Sequence, residues 1–266
     1  MQQKNNLVSL IIPAFKQEKT IKKDLIRIKN VIDQLRYEYE IIVVVDGRLD
    51  KTFEKASEIK SEKIKVIGYQ NNYGKGHAVR FGMAKAKGDI VAFIDSGMDI
   101  NPNGLSMLLE HFEWYNADII VGSKLHPVSK VSYPPYRKIL SFGYRILVRI
   151  LFGLSIKDTQ VGMKFFRRKV LEDVLPRLLV KTYAFDIEIL AVSYYLGYKR
   201  IFEAPIELDF GGETSIVSKG FWRTIFHMLW DTLAVFYRLK ILRYYDNRNK
   251  RKWRFDPDLN FKINLQ

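Results

Sequence analysis

Residues 89–102 read DIVAFIDSGMDINP, and the fold turns on how this stretch is understood. An unbroken apolar run, Ile90 to Ile94, ends on Asp95, and Ser96-Gly97 then turn the chain. A strand that is apolar on both faces is covered on both faces, which is the habit of a parallel sheet rather than of an antiparallel sheet with one wet side. In open α/β sheets, ligands bind beyond the carboxyl ends of such strands, which is where Asp95 sits. A D-x-D pair at this place suggests a metal and a phosphate. Here Gly97 interrupts the pattern and the next acid is Asp99.

Working outward, the same signature recurs. NLVSLIIPAF (6–15) is a strand stopped by proline, and YEIIVVVDG (39–47) is a β-branched run ending at an Asp-Gly turn. KIKVIGY (63–69) and ADIIVGS (117–123) are further strands. Between them lie helical patterns: residues 19–35 repeat Ile21, Leu25, Ile28, Ile32 and Leu35, and 50–62, 77–87 and about 103–115 follow. The β-α-β-α rhythm predicts an α/β fold: a mostly parallel sheet with helices on both faces. Pro13 to Glu18, Asp46 and Asp95 all fall at strand ends. The second half reads as a turn and long apolar helix (133–154), a helix (183–198), a strand (199–210) and a long amphipathic helix (220–245) before a basic, frayed tail. No repeat or linker shows, so the simplest division is one domain, residues 1–215, with a C-terminal amphipathic helical extension, 216–266.

Composition limits the function classes. With 47% hydrophobic residues the 266-residue chain has ample material for a core, and the absence of cysteine removes disulfides, thiolate metal sites and cysteine nucleophiles. The N-terminal apolar run is too short for a signal peptide, and no apolar stretch is long enough to predict a transmembrane helix. The formal charge of +15 is concentrated: residues 123–170 hold eleven Lys/Arg against Asp158 alone, and 219–254 hold ten against Asp231 and Asp246. Both segments mix the charge with large apolar residues, a pattern that favours phosphate-bearing lipid over nucleic acid, for which no recognition motif is present.

The candidate residues follow from this. Asp46 and Asp95 are either helix caps or site carboxylates, and their equivalent positions favour a site. Mg²⁺ asks only one or two carboxylates of the protein besides substrate phosphate oxygens. The loop NNYGKGHAVRFG (71–82) sets Lys75 between glycines before a helix; without a standard phosphate motif it is either a flexible turn that starts the helix or a phosphate site at the helix N-terminus. Arg137, Ser141, Arg145 and Arg149 recur every fourth residue on an apolar helix that has no acid to pair them. Such a row is either a solvated polar face or, since solvated faces ordinarily mix both signs, a seat for a phosphate carried on a lipid. Arg223, His227 and Asp231 make a second narrow stripe, either an interfacial helix lying on a membrane or a covering helix whose charges pair through His227.

The segments VSLIIPAFKQEKTI, EIIVVVDG, NYGKGHAVRFGMAKAKGDIVAFIDSGMDINP and DTQVGMKFFRR together resemble glycosyltransferase family 2, and within it the dolichyl- and polyprenyl-phosphate sugar synthases. DTQVGMKFF is most similar to the dolichyl-phosphate glucosyltransferase branch, and the similarity runs from about Leu7 to Tyr245. The resemblance implies a GT-A fold and a nucleotide diphosphate sugar donor, UDP-glucose or GDP-mannose. It places Pro13, Phe15 and Glu18 at the nucleoside and Asp46 at the base. Asp95 and Ser96 begin the D-x-D motif, and Gly97 replaces its second acid. Mg²⁺ or Mn²⁺ would then rest on Asp95 and Asp99. Asp158 and Gln160 fall near the donor sugar, and Arg137, Ser141, Arg145, Arg149, Ser218 and Lys219 at the acceptor phosphate.

The implied activity is inverting transfer of a hexose, glucose before mannose, to dolichyl or polyprenyl phosphate by a peripheral protein on the cytoplasmic face of a membrane. The departing diphosphate would take its cation from the metal, with Lys75 and Lys219 as further candidates. Two other readings stay open: a family 2 transferase with a saccharide acceptor, and a silent relative that binds nucleotide or membrane.

Overall fold

Each continuous apolar run of the first half forms a strand, paired with the neighbours that the alternation of the sequence makes available. The computed structural model describes residues 6–97, 100–129, 135–182, 184–208 and 221–263. Strands β1 (Val8–Ala14), β2 (Tyr39–Asp46), β3 (Ile64–Tyr69), β4 (Ile90–Ile94), β5 (Ile119–Ser123), β6 (Met163–Arg167) and β7 (Ile201–Pro205) form one sheet in the order β3-β2-β1-β4-β6-β5-β7. All pairs are parallel except those of β6, which runs antiparallel to β4 and β5. The expected α/β architecture is therefore present.

Side chains alternate across the sheet into two apolar layers. Leu10, Ile12, Ile90, Ala92 and Ile94 pack with α1 (Ile21–Ile32) and α4 (Gly104–Trp114). Ile11, Val91 and Phe93 pack with α3 (Lys75–Lys85), α6 (Arg168–Val174) and α7 (Phe185–Tyr195), joined by the end of α5 (Pro135–Phe152). Helix α2 (Thr52–Ser57) is shorter than expected and leans on β3 and α1. The chain leaves β1 toward β2 on one side and is joined by β4 on the other, so the ends of these three strands meet at a switch point of the sheet.

Three further features differ from the sequence reading. Strand β6 is one, hidden because its five residues, MKFFR, are flanked by further basic residues and owe their strand state to pairing on both sides. The second is α3, which starts at Lys75 rather than His77. Gly74 turns the chain at φ 99°, where an added Cβ would lie 2.6 Å from the Lys181 carbonyl oxygen. The third is the C-terminal part. Helix α8 spans Phe221–Phe236 and gives way to a π-helical turn at Tyr237–Ile241. The tail is not frayed: β8 (Arg254–Asp256) and β9 (Phe261–Ile263) form a hairpin, with Leu259 and Ile263 buried. Val235, Leu239, Tyr244 and Tyr245 belong to the same apolar layer as the sheet, so the segment expected as an appended extension completes the core. Among the described residues no helix is long and apolar enough to cross a membrane.

Candidate active site

The switch point gathers the strand-end residues. Pro13 lies inside β1, and its carbonyl accepts the Ser96 hydroxyl at 2.6 Å, which ties β1 to the turn after β4. Phe15 is exposed just beyond β1, with the Lys16 ammonium 5.5 Å from its ring centre. Glu18 accepts the Lys51 amide at 3.1 Å, so the loop after β1 is latched to the start of α2. Asp46, buried at the end of β2, accepts the amides of Tyr73 and Gly74 at 2.8 and 2.9 Å. Sequence resemblance gives Asp46 a base contact; here both its oxygens anchor the glycine-rich loop. The Tyr69 hydroxyl faces it, and burial first and that carboxylate second push Tyr69 above the ordinary tyrosine range.

That anchoring aims Lys75. Its ammonium stands 2.9 Å from each oxygen of Asp95 and 3.5 Å from Asp186, in the first turn of α7. Behind it the fully buried Lys164 of β6 pairs with Asp186 and donates to the Val161 carbonyl. Two ammoniums and two carboxylates thus alternate from the interior outward, and the Lys75–Asp95 end is the partly exposed one. Burial alone lowers the pKa of Lys75, but Asp186 and Asp95 outweigh it and hold it above the ordinary lysine range. Lys164 goes the other way: burial pulls it down, with Asp186 opposing. Asp95 donates its amide to the Gly162 carbonyl at 2.9 Å, and its carboxylate lies against the Gly162 Cα.

Asp158 folds onto its own loop. It accepts the Lys124 amide at 3.2 Å and the Gln160 amide at 3.3 Å, pinning the end of β5. The Gln160 side chain reaches 3.4 Å to the Tyr144 hydroxyl on α5, which is 3.0 Å from Thr232 on α8. Burial above all, with the Asp186 charge adding, pushes Tyr144 up to about 12, so its hydroxyl stays protonated at any working pH. Gln160 is thus the link between the strand-end cluster and the basic helix. On α5, Ser141 and Arg149 are exposed and Arg145 is half-buried, its guanidinium 5.0 Å from the Phe142 ring centre. Phe142, Ile146 and Ile150 form an exposed apolar stripe beside them, and Phe226, Trp230, Tyr237 and Ile241 form another along α8 and its π-helical turn. Arg223 and His227 are in contact at 3.3 Å, while Asp231 accepts the Thr182 hydroxyl at 3.1 Å. Asp99, Ser218, Lys219 and the side chain of Arg137 lie outside the described residues.

The expected Mg²⁺ or Mn²⁺ ligands are Asp95 and Asp99, of which only Asp95 lies among the described residues. No group of three or more His, Asp or Glu among them could hold a metal ion. The second acid is absent at Gly97, Ser96 is turned to Pro13, and the charge of Asp95 is taken by Lys75. Both Asp95 oxygens stand 2.9 Å from the Lys75 ammonium, so an ion that used either would compete with that lysine.

Lys164 and Asp186 are the members of the cluster that sequence reasoning missed. The available signal was a lone charge inside an apolar strand, KFF, and an acid opening an apolar helix, FDIEIL; charges so placed require buried partners.

Against known proteins, the family described as Glycosyl transferase family 2 matches residues 9–175. A dolichyl-phosphate beta-glucosyltransferase of Drosophila melanogaster is 33% identical over 204 residues, 70% of this chain, and the chain spans 62% of that protein's length. A Trichomonas vaginalis protein of the same description is 30% identical over 250 residues, covering 88% of this chain and 75% of its own. A dolichol-phosphate mannosyltransferase of Pyrococcus furiosus is 32% identical over 226 residues, 84% of this chain and 61% of its own. Among solved structures, mannosyl-3-phosphoglycerate synthase of Rubrobacter xylanophilus superposes with a TM-score of 0.67 at 14% identity, covering 91% of this chain and 76% of its own. Glucosyl-3-phosphoglycerate synthase of Mycobacterium tuberculosis, solved with Mn²⁺, UDP and glucosyl-3-phosphoglycerate, superposes at 0.63 and 18% identity over 87% of this chain and 79% of its own. At such identities the likeness is one of fold.

Proposed function

The chain belongs to glycosyl transferase family 2, and from that premise we propose that it moves a hexose, glucose before mannose, from a nucleotide diphosphate sugar to dolichyl or polyprenyl phosphate with inversion at the anomeric carbon. One observation carries the acceptor: Arg145 and Arg149 border an exposed apolar stripe, Phe142, Ile146 and Ile150, on a helix tied through Tyr144 and Gln160 to the strand-end cluster. A phosphate fixed to a hydrocarbon chain needs cations and an apolar surface side by side, and a saccharide acceptor needs neither. The relatives described as dolichyl-phosphate glucosyltransferases support glucose, and the DTQVGMKFF segment supports it from the sequence.

The chemistry asks little of a general base. A phosphate monoester has its second pKa near ~6 and is largely dianionic at neutral pH, so it is already the nucleophile. Arg145, Arg149, Ser141 and Arg137, with Ser218 and Lys219, neutralise it and hold it for in-line attack on the face opposite the leaving diphosphate. Pro13, Phe15, Glu18 and Asp46 frame the nucleoside, and Asp158 and Gln160 position the sugar. The apolar stripes of α5 and α8 rest on a membrane surface, with the cytoplasmic face the one that offers nucleotide sugars. Residues 1–215 are the transferase domain, and 216–266 add membrane contact while completing its core.

Replacing Arg145 and Arg149 together by Ala tests the acceptor. Losing two charge-assisted contacts is expected to raise KM for polyprenyl phosphate by about a hundredfold while the donor KM stays within about threefold. Unchanged turnover with the lipid acceptor refutes the lipid-phosphate reading.

A further inference from the structure

The described residues do not assemble a carboxylate cage, yet a strand-end acid is present and engaged by a lysine. Resting on the donor reading above, we propose that Lys75, not a protein-held divalent ion, is the cation of the diphosphate subsite, and that Asp95 is the residue that positions it.

Four observations carry this. The Lys75 ammonium is equidistant, at 2.9 Å, from both oxygens of Asp95, the geometry of a centred ion pair. Asp186, at 3.5 Å, holds it from a second side and is itself neutralised by Lys164. The inner pair therefore cancels, leaving Lys75 and Asp95 as the outer pair, with side chains one-fifth and two-fifths exposed. Finally, Gly97 carries no acid where a D-x-D motif has its second, and among the described residues a Cβ there would meet nothing nearer than Gln17 Nε2 at 4.0 Å.

The charge balance decides between the two cations. An ammonium has three N–H donors, so Lys75 can hold Asp95 and Asp186 and still donate to a phosphate oxygen. A divalent ion needs the charge of Asp95 and must displace an ammonium fixed by two carboxylates. Among the described residues it gains the carboxylate of Asp95 alone in return, the low end of the one or two carboxylates that Mg²⁺ takes from a protein. The asymmetry favours the lysine, which is covalently present at every encounter with the donor. When the anomeric carbon–oxygen bond breaks, the electron pair stays on the diphosphate oxygen, and the Lys75 ammonium stabilises that charge without giving up its proton.

The test is calorimetric binding of UDP and of GDP, each with EDTA and with Mn²⁺, to the full chain and to Lys75→Met, Lys75→Arg and Gly97→Asp. The wild type is expected to bind one of the two nucleotides with affinity in EDTA within about threefold of that in Mn²⁺, and Lys75→Met to lose about ten- to hundredfold in EDTA, the loss of charge-assisted hydrogen bonds. Lys75→Arg keeps the charge and is expected to retain most of the EDTA affinity, which preserves the test if the methionine variant does not fold. Gly97→Asp supplies the missing acid and is expected to bring a Mn²⁺ response of about tenfold that the wild type lacks. Nucleotide binding by the wild type that requires Mn²⁺ and is indifferent to Lys75→Met overturns the proposal and leaves the donor reading standing. No binding of either nucleotide under either condition overturns both.

Discussion

Gly162 has no side chain because Asp95 fills the space one would need: an added Cβ would lie 1.8 Å from Asp95 Oδ2. Gly162→Ala must therefore push the carboxylate off Lys75. It is expected to cut kcat/KM for hexose transfer by about a hundredfold or more, roughly the 2.7 kcal/mol of one lost charge-stabilising contact. An alanine variant of normal activity means that the Lys75–Asp95 geometry is not used. His77 gives a second prediction at this scale. It packs among Tyr69, Tyr73 and Phe81, and burial first, then the charges of Lys181 and Arg80, depress its pKa. The unfolded chain therefore takes up the proton at higher pH than the folded one. The His77 contribution is fully present above about 6.5 and is lost as pH falls toward the lower folded value. Melting temperature followed from pH 7.5 down to 5.5 should fall less steeply in His77→Phe than in the wild type; parallel profiles contradict the assignment. Asp46, Lys75 and Asp95 were legible in the sequence because each stands at a strand end or between glycines. Lys164 and Asp186 were not, since each is a single charge whose partner lies 22 residues away and meets it only through the pairing of β6.

At the scale of elements, the basic helix was the most legible feature of the second half. Arginines every fourth residue on an apolar body state both a helix and a face. The sequence did not reveal that α5 and α8 pack side by side, with Tyr144 against Thr232 and Phe152 against Phe236, because that contact joins positions some eighty residues apart. The pairing sets side by side the two helices that carry the exposed apolar stripes. Phe226 and Trp230 are 64% and 63% exposed, too large an apolar area to leave in water without purpose. Phe226→Ser with Trp230→Ser is expected to lower binding to anionic lipid vesicles by about tenfold, at roughly 0.8 kcal/mol per CH₂ group withdrawn from the bilayer, while leaving the melting temperature within a few degrees. Sedimentation with vesicles measures the first and calorimetry the second. Equal sedimentation of variant and wild type removes α8 from the membrane surface. Strand β6 escaped the sequence reading for a related reason: an antiparallel insertion in a parallel sheet carries no local sign beyond a short run, MKFF, that a helix start also tolerates.

For the whole molecule, the alternation of strands and helices was enough to predict the sheet and the edge on which Pro13, Asp46 and Asp95 gather. The C-terminal segment was harder. Its basic composition suggested a loose extension, yet Tyr245 is fully buried, donates its hydroxyl to the buried Glu188 and offers its carbonyl to Arg177, and the hairpin buries Leu259 and Ile263. Each of these apolar side chains contributes up to about 1.5–3 kcal/mol on burial, so the tail is part of what holds the α7 face together. Net charge misled here because Arg243, Arg248 and Lys250 are exposed while Tyr244 and Tyr245 between them are buried. The central claim is that this fold carries a nucleotide-sugar site and a lipid-phosphate site on one edge. Its most direct test is a transfer assay with the purified chain, radiolabelled UDP-glucose or GDP-mannose, and polyprenyl phosphate in detergent. Label in an organic-extractable hexosyl phosphate lipid, formed from UDP-glucose in preference to GDP-mannose and abolished without the lipid, is the predicted result. No label in lipid from either donor, with or without Mg²⁺ or Mn²⁺, contradicts it.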